Sequence, residues 1–303
     1  HLATNREVPE TAIRTRVAEP LGLSLSEAAW GIHLLANESM ASAARIHAIE
    51  RGRTIADFPV FATGGAGPVH AFGVASILRC PRVICPLGAG VMSALGFLTA
   101  PLSVNFAKSL PGRLDSLDWA GARRVIAGME AEGREVLGRT LDPAEVTLSL
   151  FADMRYVKQG FEVRVPVDRA AVAAGRADAL RRSFEKAYRA IYGHVMSGNP
   201  VEVVSWRVVA SGPKPAMHLP TRPERADATP DAALKGHRPI FLPAAKALAD
   251  TPVYDRYALP AGARFDGPAV IEERESTVVV NAAASIRVDA QANLVIDLAP
   301  RDG

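Results

Sequence analysis

The residues best suited to chemistry lie in one short run, Thr63-Gly64-Gly65-Ala66-Gly67-Pro68, with His70 just beyond it. Closely spaced glycines let a backbone turn sharply and bring its N–H groups close to a ligand. Where such a turn opens a helix, the partial positive charge of the helix end favours an anion, above all a phosphate. Thr63, Gly64, Gly65, Ala66 and Gly67 are therefore the candidate nucleotide-binding residues, although spacing alone slightly favours a purely structural strand-to-helix turn. Pro68 suits the helix start, where its missing N–H costs nothing. His70 is the candidate catalytic residue. An imidazole at this place could hydrogen-bond a phosphate or substrate or act as a general acid, or it could be a packed residue beneath the turn.

The elements that must hold this run read as α/β. A short apolar stretch, Phe58 to Ala62, precedes the turn as a strand, and Val69 to Leu78 follows as a helix of small residues. The pattern repeats: Arg82-Val83-Ile84-Cys85 reads as a strand, Pro86 to Gly90 as a second glycine turn and Val91 to Leu98 as an apolar helix. Strand–turn–helix twice over places both turns at the carboxyl edge of one sheet, where ligands bind in such layers. Upstream, Leu21 to Gly52 is the clearest helix, opened by a Ser24–Glu27 capping box and carrying Ile32, Leu35, Ala36, Met40, Ala43 and Ile46 at helical spacing. Asn37 lies beside that apolar stripe, where a buried hydrogen-bonding role and exposure are both open. His33 and His47 are read as packing or surface residues.

Asp115 to Arg139 is a further helix, and Asp142-Pro143 marks the first expected boundary. From Val146 the rhythm turns to strands. Val146–Tyr156 and Phe161–Val167 form a hairpin about Lys158-Gln159-Gly160, Ala170–Tyr192 is an amphipathic helix and Pro200–Ser211 another strand. Residues 212–237, rich in proline, read as a linker. The rest is a series of short strands, barrel-like or sandwich-like. The expected division is 1–143, 144–215 as a ββαβ unit, and 216–303 as linker and terminal β domain.

Familiar signatures are missing. Gly65-x-Gly67-x-x-His70 lacks the third glycine of a dinucleotide fingerprint, and no Walker-type phosphate loop occurs. There is no HExxH or zinc-spaced Cys/His set, so no metal site is expected from these residues. The 303 residues are 49% hydrophobic and 22% charged, with a net charge of +3 and no basic block, which argues against a nucleic-acid groove. No apolar run is long enough to span a membrane. Cys80 and Cys85, with no CxxC spacing, read as free thiols with at least one buried, in keeping with a cytoplasmic location.

Several runs taken in order resemble the hydantoinase A/5-oxoprolinase family: Asn37-Glu38-Ser39-Met40, Phe61 to Ala71, Pro81 to Ile84, Gly90 to Gly96, Met154-Arg155-Tyr156 with Gln159, Tyr192-Gly193-His194, Thr251 to Arg256 and Gly267 to Glu272. The resemblance implies an α+β multidomain protein, with part of an actin/hexokinase-like (ribonuclease H-like) ATPase core, the ββαβ unit and the β domain. It implies ATP and Mg²⁺ as cofactors, and ATP-dependent opening of a cyclic amide. The named alternatives are a subunit of a ketone carboxylase and a non-catalytic docking module. Asn37, in the first of these runs, joins the nucleotide-binding set. The expected partners are a hydantoinase B-like chain and a small cyclic amide. The Asp-x-Gly-Gly-Thr type phosphate loop and the acid that positions Mg²⁺ in such a core are not among these residues. The chain is therefore expected to be a C-terminal portion, completed by an N-terminal half of the same protein or by a separate chain, and a poor ATPase by itself. Lys158 stands where relatives tend to carry glycine.

Overall fold

The structure, a computed structural model, describes residues 5–218 and 220–298. It is a mixed α/β architecture of three sheets. In chain order, α1 (Glu7–Ile13) runs through a π-helical stretch into α2 (Glu19–Leu21). The expected capping box is formed: Ser24 Oγ accepts from the Glu27 N–H, and Glu27 reaches back to the Ser24 N–H at 2.9 Å, opening α3 (Leu25–Glu50). Next come β1 (Val60–Phe61), α4 (Gly67–Leu78), β2 (Arg82–Cys85), α5 (Met92–Thr99), β3 (Ser103–Arg113), α6 (Trp119–Gly138), β4 (Thr147–Tyr156), β5 (Val163–Pro166), α7 (Arg169–Ala173), α8 (Ala177–Tyr192) and β6 (Val201–Ser211). The remaining strands are β7 (Leu234–Leu242), β8 (Ala247–Asp255), β9 (Arg264–Asp266), β10 (Ala269–Glu272), β11 (Thr277–Val280), β12 (Ala284–Val288) and β13 (Leu294–Leu298).

These elements form two compact units, residues 1–96 with 218–303, and residues 97–217. The first has a five-stranded sheet in the order β1-β2-β13-β12-β9 and a four-stranded sheet in the order β11-β10-β8-β7. β1 and β2 run parallel, Val60 opposite Val83, as two successive strand–turn–helix steps require. Helix α4 lays Ala71, Phe72, Ala75 and Leu78 into a core shared with Val83, Ile271, Val278, Ile286, Leu294 and Ile296. Cys80 and Cys85 are both free and both buried there.

The second unit is one antiparallel sheet, β3-β6-β4-β5. Along β4 and β6 the inward residues alternate: Leu150, Ala152, Met154 and Tyr156 on one, Val203, Trp206, Val208 and Ala210 on the other. All but Ala210 share a core with Ile126 and Met129 of α6 and Leu180, Phe184 and Tyr188 of α8, and Ala210 packs with Leu137 and Val146. The expected hairpin β4–β5 and the amphipathic α8 are present.

The grouping differs from the expected division at 143 and 216. A boundary at 143 would split α6 from the strands on which Ile126 and Met129 are buried. Strand β3 was not foreseen. It lies at a sheet edge and carries Pro111-Gly112 at a register shift, a place where an edge strand tolerates proline. Nor is the C-terminal run a separate β domain. A pair as short as β1–β2 cannot stand alone, and β13 completes it, Leu294 opposite Cys85 and Ile296 opposite Val83. The expected linker is also shorter than 212–237, since β7 starts at Leu234.

Candidate functional site

Beyond β1, the Ala62 N–H extends the ladder to the carbonyl of Ile84 at 2.9 Å. Gly64 then turns the chain at φ +86°, a left-handed conformation that glycine adopts without steric cost. The Gly64 N–H donates to the carbonyl of Ala89 at 2.8 Å. Ala89 belongs to the second glycine turn, beyond β2, where Gly88 is also left-handed at φ +73°. One backbone hydrogen bond thus ties the two turns side by side at the carboxyl ends of two parallel strands.

The glycines of these turns have different reasons. A Cβ at Gly65 would lie 3.3 Å from the carbonyl oxygen of Glu275, and one at Gly90 2.7 Å from the same atom. Those two are glycine because the β10–β11 turn is packed on them. At Gly67 a Cβ would meet nothing within 4 Å, and no positive φ is required there. The space there leaves room for close approach by a ligand. Thr63, Gly64, Gly65 and Ala66 are exposed. Gly67 opens the 12-residue helix α4 with Ala66 as N-cap and no side-chain cap. Pro68 has no N–H and the Val69 N–H donates to the Ala66 carbonyl at 3.1 Å, so the Gly67 N–H is the donor at this end with no described partner. Exposed turn, open space and uncapped helix end together leave room for an anion such as a phosphate.

His70 is half-buried on α4, and its Nδ1 lies 2.7 Å from Asn37 Oδ1. Asn37 is fully buried. Burial takes it out of direct reach of a ligand in solvent, so its place in the candidate set is behind His70 rather than on a nucleotide. The rings of His70 and His33 stack at 4.6 Å and 13°. His33 continues to Trp30 at 5.2 Å, and Trp30 stacks on Phe241 at 5.6 Å. Burial first, and the neighbouring His70 second, lower the pKa of His33 below its ordinary value. A cavity of about 190 Å³ runs beside these rings, lined by Trp30, His33, Val69, Gly73, Phe241 and Asn281 among others.

Sequence reasoning missed the support beneath the turns. Arg256 and Glu273 form an ion pair at 3.1 Å with side chains 0% and 1% exposed. Arg256 also donates to the carbonyls of Cys85 and Ala292, and Ser276 Oγ donates to Glu273. The signal was present, since Arg256 ends the Thr251–Arg256 run, but a lone arginine in a strand pattern gives no hint of a carboxylate seventeen positions later. Burial beside this pair pushes the Cys85 thiol up to about 12, with Arg256 pulling the other way.

The polar residues of the later family-like runs make structural contacts. Gln159 bridges the Tyr156 N–H to the Tyr188 hydroxyl, and the Tyr156 hydroxyl accepts from the Met196 N–H at 3.0 Å. Arg155 pairs with Glu202 at 2.8 Å. His194 is exposed just past the end of α8, with Nδ1 3.0 Å from the Tyr192 carbonyl. Among the described residues no three His, Cys, Asp or Glu side chains are grouped to hold a metal ion, and no helix is long and apolar enough to cross a membrane.

Two family models match, the hydantoinase/oxoprolinase model over residues 2–105 and the hydantoinase/oxoprolinase C-terminal domain model over residues 126–296. The chain belongs to the hydantoinase/oxoprolinase family. Among relatives of this hydantoinase/oxoprolinase chain, the caprolactamase subunit alpha of Pseudomonas jessenii is 31% identical over 95% of the chain and 42% of that protein. The acetone carboxylase beta subunit of Xanthobacter autotrophicus is 30% identical over 91% of the chain and 40% of that protein. A nucleotide-free acetone carboxylase structure, from work on ATP-dependent acetone carboxylation, superposes with a TM-score of 0.71 at 28% identity, covering 96% of this chain and 42% of that one. The chain thus spans about two fifths of the length of these relatives.

Proposed function

We propose that this chain carries one side of the nucleotide site of an ATP-dependent enzyme that opens a cyclic amide in the cytoplasm. The observation that carries the reading is the Gly64–Ala89 hydrogen bond, which sets two glycine turns together beside an uncapped helix end. Family membership supports it, and so does the likeness to a caprolactamase subunit. In this reading residues 1–96 and 218–303 are part of an actin/hexokinase-like core. Bound ATP with Mg²⁺ would supply a phosphoryl group that makes the amide oxygen a better leaving group. The chain's own part is positional. The turn at Thr63 to Gly67 offers backbone N–H groups to a phosphate, with His70 beside it to meet the ligand by hydrogen bonding. The other jaw, and the acids for Mg²⁺, would come from polypeptide outside these residues, with a hydantoinase B-like chain as a further partner.

Titration calorimetry with Mg²⁺ and ATP or ADP tests the site. Binding should be measurable and should be lost in Gly67→Val, whose Cβ would meet nothing within 4 Å. An absence of heat from a well-folded chain would favour a docking module. The likeness to acetone carboxylase favours a second reading, a subunit of an ATP-dependent ketone carboxylase. With the complementary chains supplied, ATP-dependent ring opening of a lactam supports the first reading, and incorporation of labelled bicarbonate into a ketone supports the second.

A further inference from the structure

We infer that Asn37 is a positioning residue that holds neutral His70 in the Nδ1–H tautomer, so that His70 presents a bare Nε2 acceptor to its ligand. This rests on the reading of His70 as a working side chain beside the nucleotide-facing turn, and it sharpens what that side chain can recognise.

The inference is geometric. Asn37 Oδ1 lies 2.7 Å from His70 Nδ1 and can only accept, so the ring must carry its proton on Nδ1 to make this bond. No described residue hydrogen-bonds Nε2, which the half-buried ring leaves available. The amide is held from several sides. Asn37 is 0% exposed on α3, and its Nδ2 lies without a partner against Gly73 of α4. A Cβ at Gly73 would fall 2.4 Å from that Nδ2, so glycine at 73 makes room for the amide. The His33 ring, stacked at 4.6 Å, limits rotation of His70 from one face. A reversed amide would place Nδ2 on Nδ1 and force the ring proton to Nε2, which makes the tautomer the deciding observable.

The consequence is chemical. A bare Nε2 accepts a hydrogen bond or a proton, so the neutral ring suits a ligand group that carries O–H or N–H, such as a ribose hydroxyl or an amide N–H. It does not suit an unprotonated phosphate oxygen, which offers no hydrogen.

The test is ¹⁵N spectroscopy of the full chain labelled at histidine, recorded well above the ordinary imidazole pKa of about 6.5. The His70 signals are assigned by their loss in His70→Gln. The expected result is a protonated-type Nδ1 and a bare, pyridine-type Nε2. Asn37→Leu should move the proton to Nε2, and Gly73→Ala should do the same while leaving both partners in the sequence. Asn37→Asp, which keeps the acceptor, should retain the Nδ1–H form. An Nε2–H ring or an even mixture in the unaltered chain would overturn the proposal, as would an Nδ1–H form that persists in Asn37→Leu. Because no nucleotide is used, failure here is distinct from failure of the nucleotide reading, which calorimetry addresses.

Discussion

Arg256 and Glu273 face each other at 3.1 Å with both side chains sealed from water. The pair fixes the β10–β11 turn, and that turn carries Glu275, whose carbonyl rests on Gly65 and Gly90. A buried ion pair therefore stands behind the edge that faces the proposed ligand.

Removing one partner of such a pair strands the other charge. Glu273→Ala should cost about 3–5 kcal/mol of stability, read as a lowered midpoint in urea unfolding. A loss below about 1 kcal/mol would mean that water reaches Arg256 and that the pair is not sealed.

Two glycine substitutions should go in opposite directions. Gly31 lies in α3 with open space where its Cβ would be, so Gly31→Ala should stabilise by about 1 kcal/mol through helix propensity. Gly90→Ala would set a Cβ 2.6 Å from the Glu275 Cβ and should destabilise by about 1–3 kcal/mol. Equal effects in thermal unfolding would refute the close packing of the two turns.

Lys158 adopts φ +74° at the β4–β5 turn, in the region that costs an L-residue about 1–2 kcal/mol. Lys158→Gly should therefore raise the unfolding free energy by about 1 kcal/mol, with the Gln159–Tyr188 contact kept. A destabilised variant would show that the lysine side chain contributes something the turn geometry does not reveal.

His33 should make stability depend on pH. Its folded pKa is lowered, first by burial and then by His70, so the unfolded chain takes up its proton at higher pH than the folded one. The contribution is present above the ordinary value of about 6.5 and is lost as pH falls through the lowered folded value. His33→Phe should flatten the fall in urea stability as pH drops below about 6.5, relative to the unaltered chain. An unchanged slope would assign the effect elsewhere.

The local code was largely legible. Ser24 and Glu27 announced α3, two glycine turns announced their strands and helices, and the alternation from Val146 announced β4. What could not be read was which strands share a sheet. β13 pairs with β2 across most of the chain, and periodicity carries no information on partners so far apart. β3 hid because its outward residues and its Pro111-Gly112 bulge resemble a loop. At the site, His70 and Asn37 were both named, but their hydrogen bond depends on the packing of α3 against α4. Arg256 and Glu273 were silent because a buried charge looks, residue by residue, like an exposed one.

The pairing of β2 with β13 also bears on biosynthesis. Arg82 and its partner Asp297 are 215 residues apart, and the whole of residues 97–217 is translated between them. That inserted unit has its own core and can fold as it leaves the ribosome. The sheet beneath the glycine turns cannot close until β13 has emerged, and until then β2 exposes an unpaired edge open to wrong partners. The edge that carries the two glycine turns is thus completed only by a strand from the far end of the described residues.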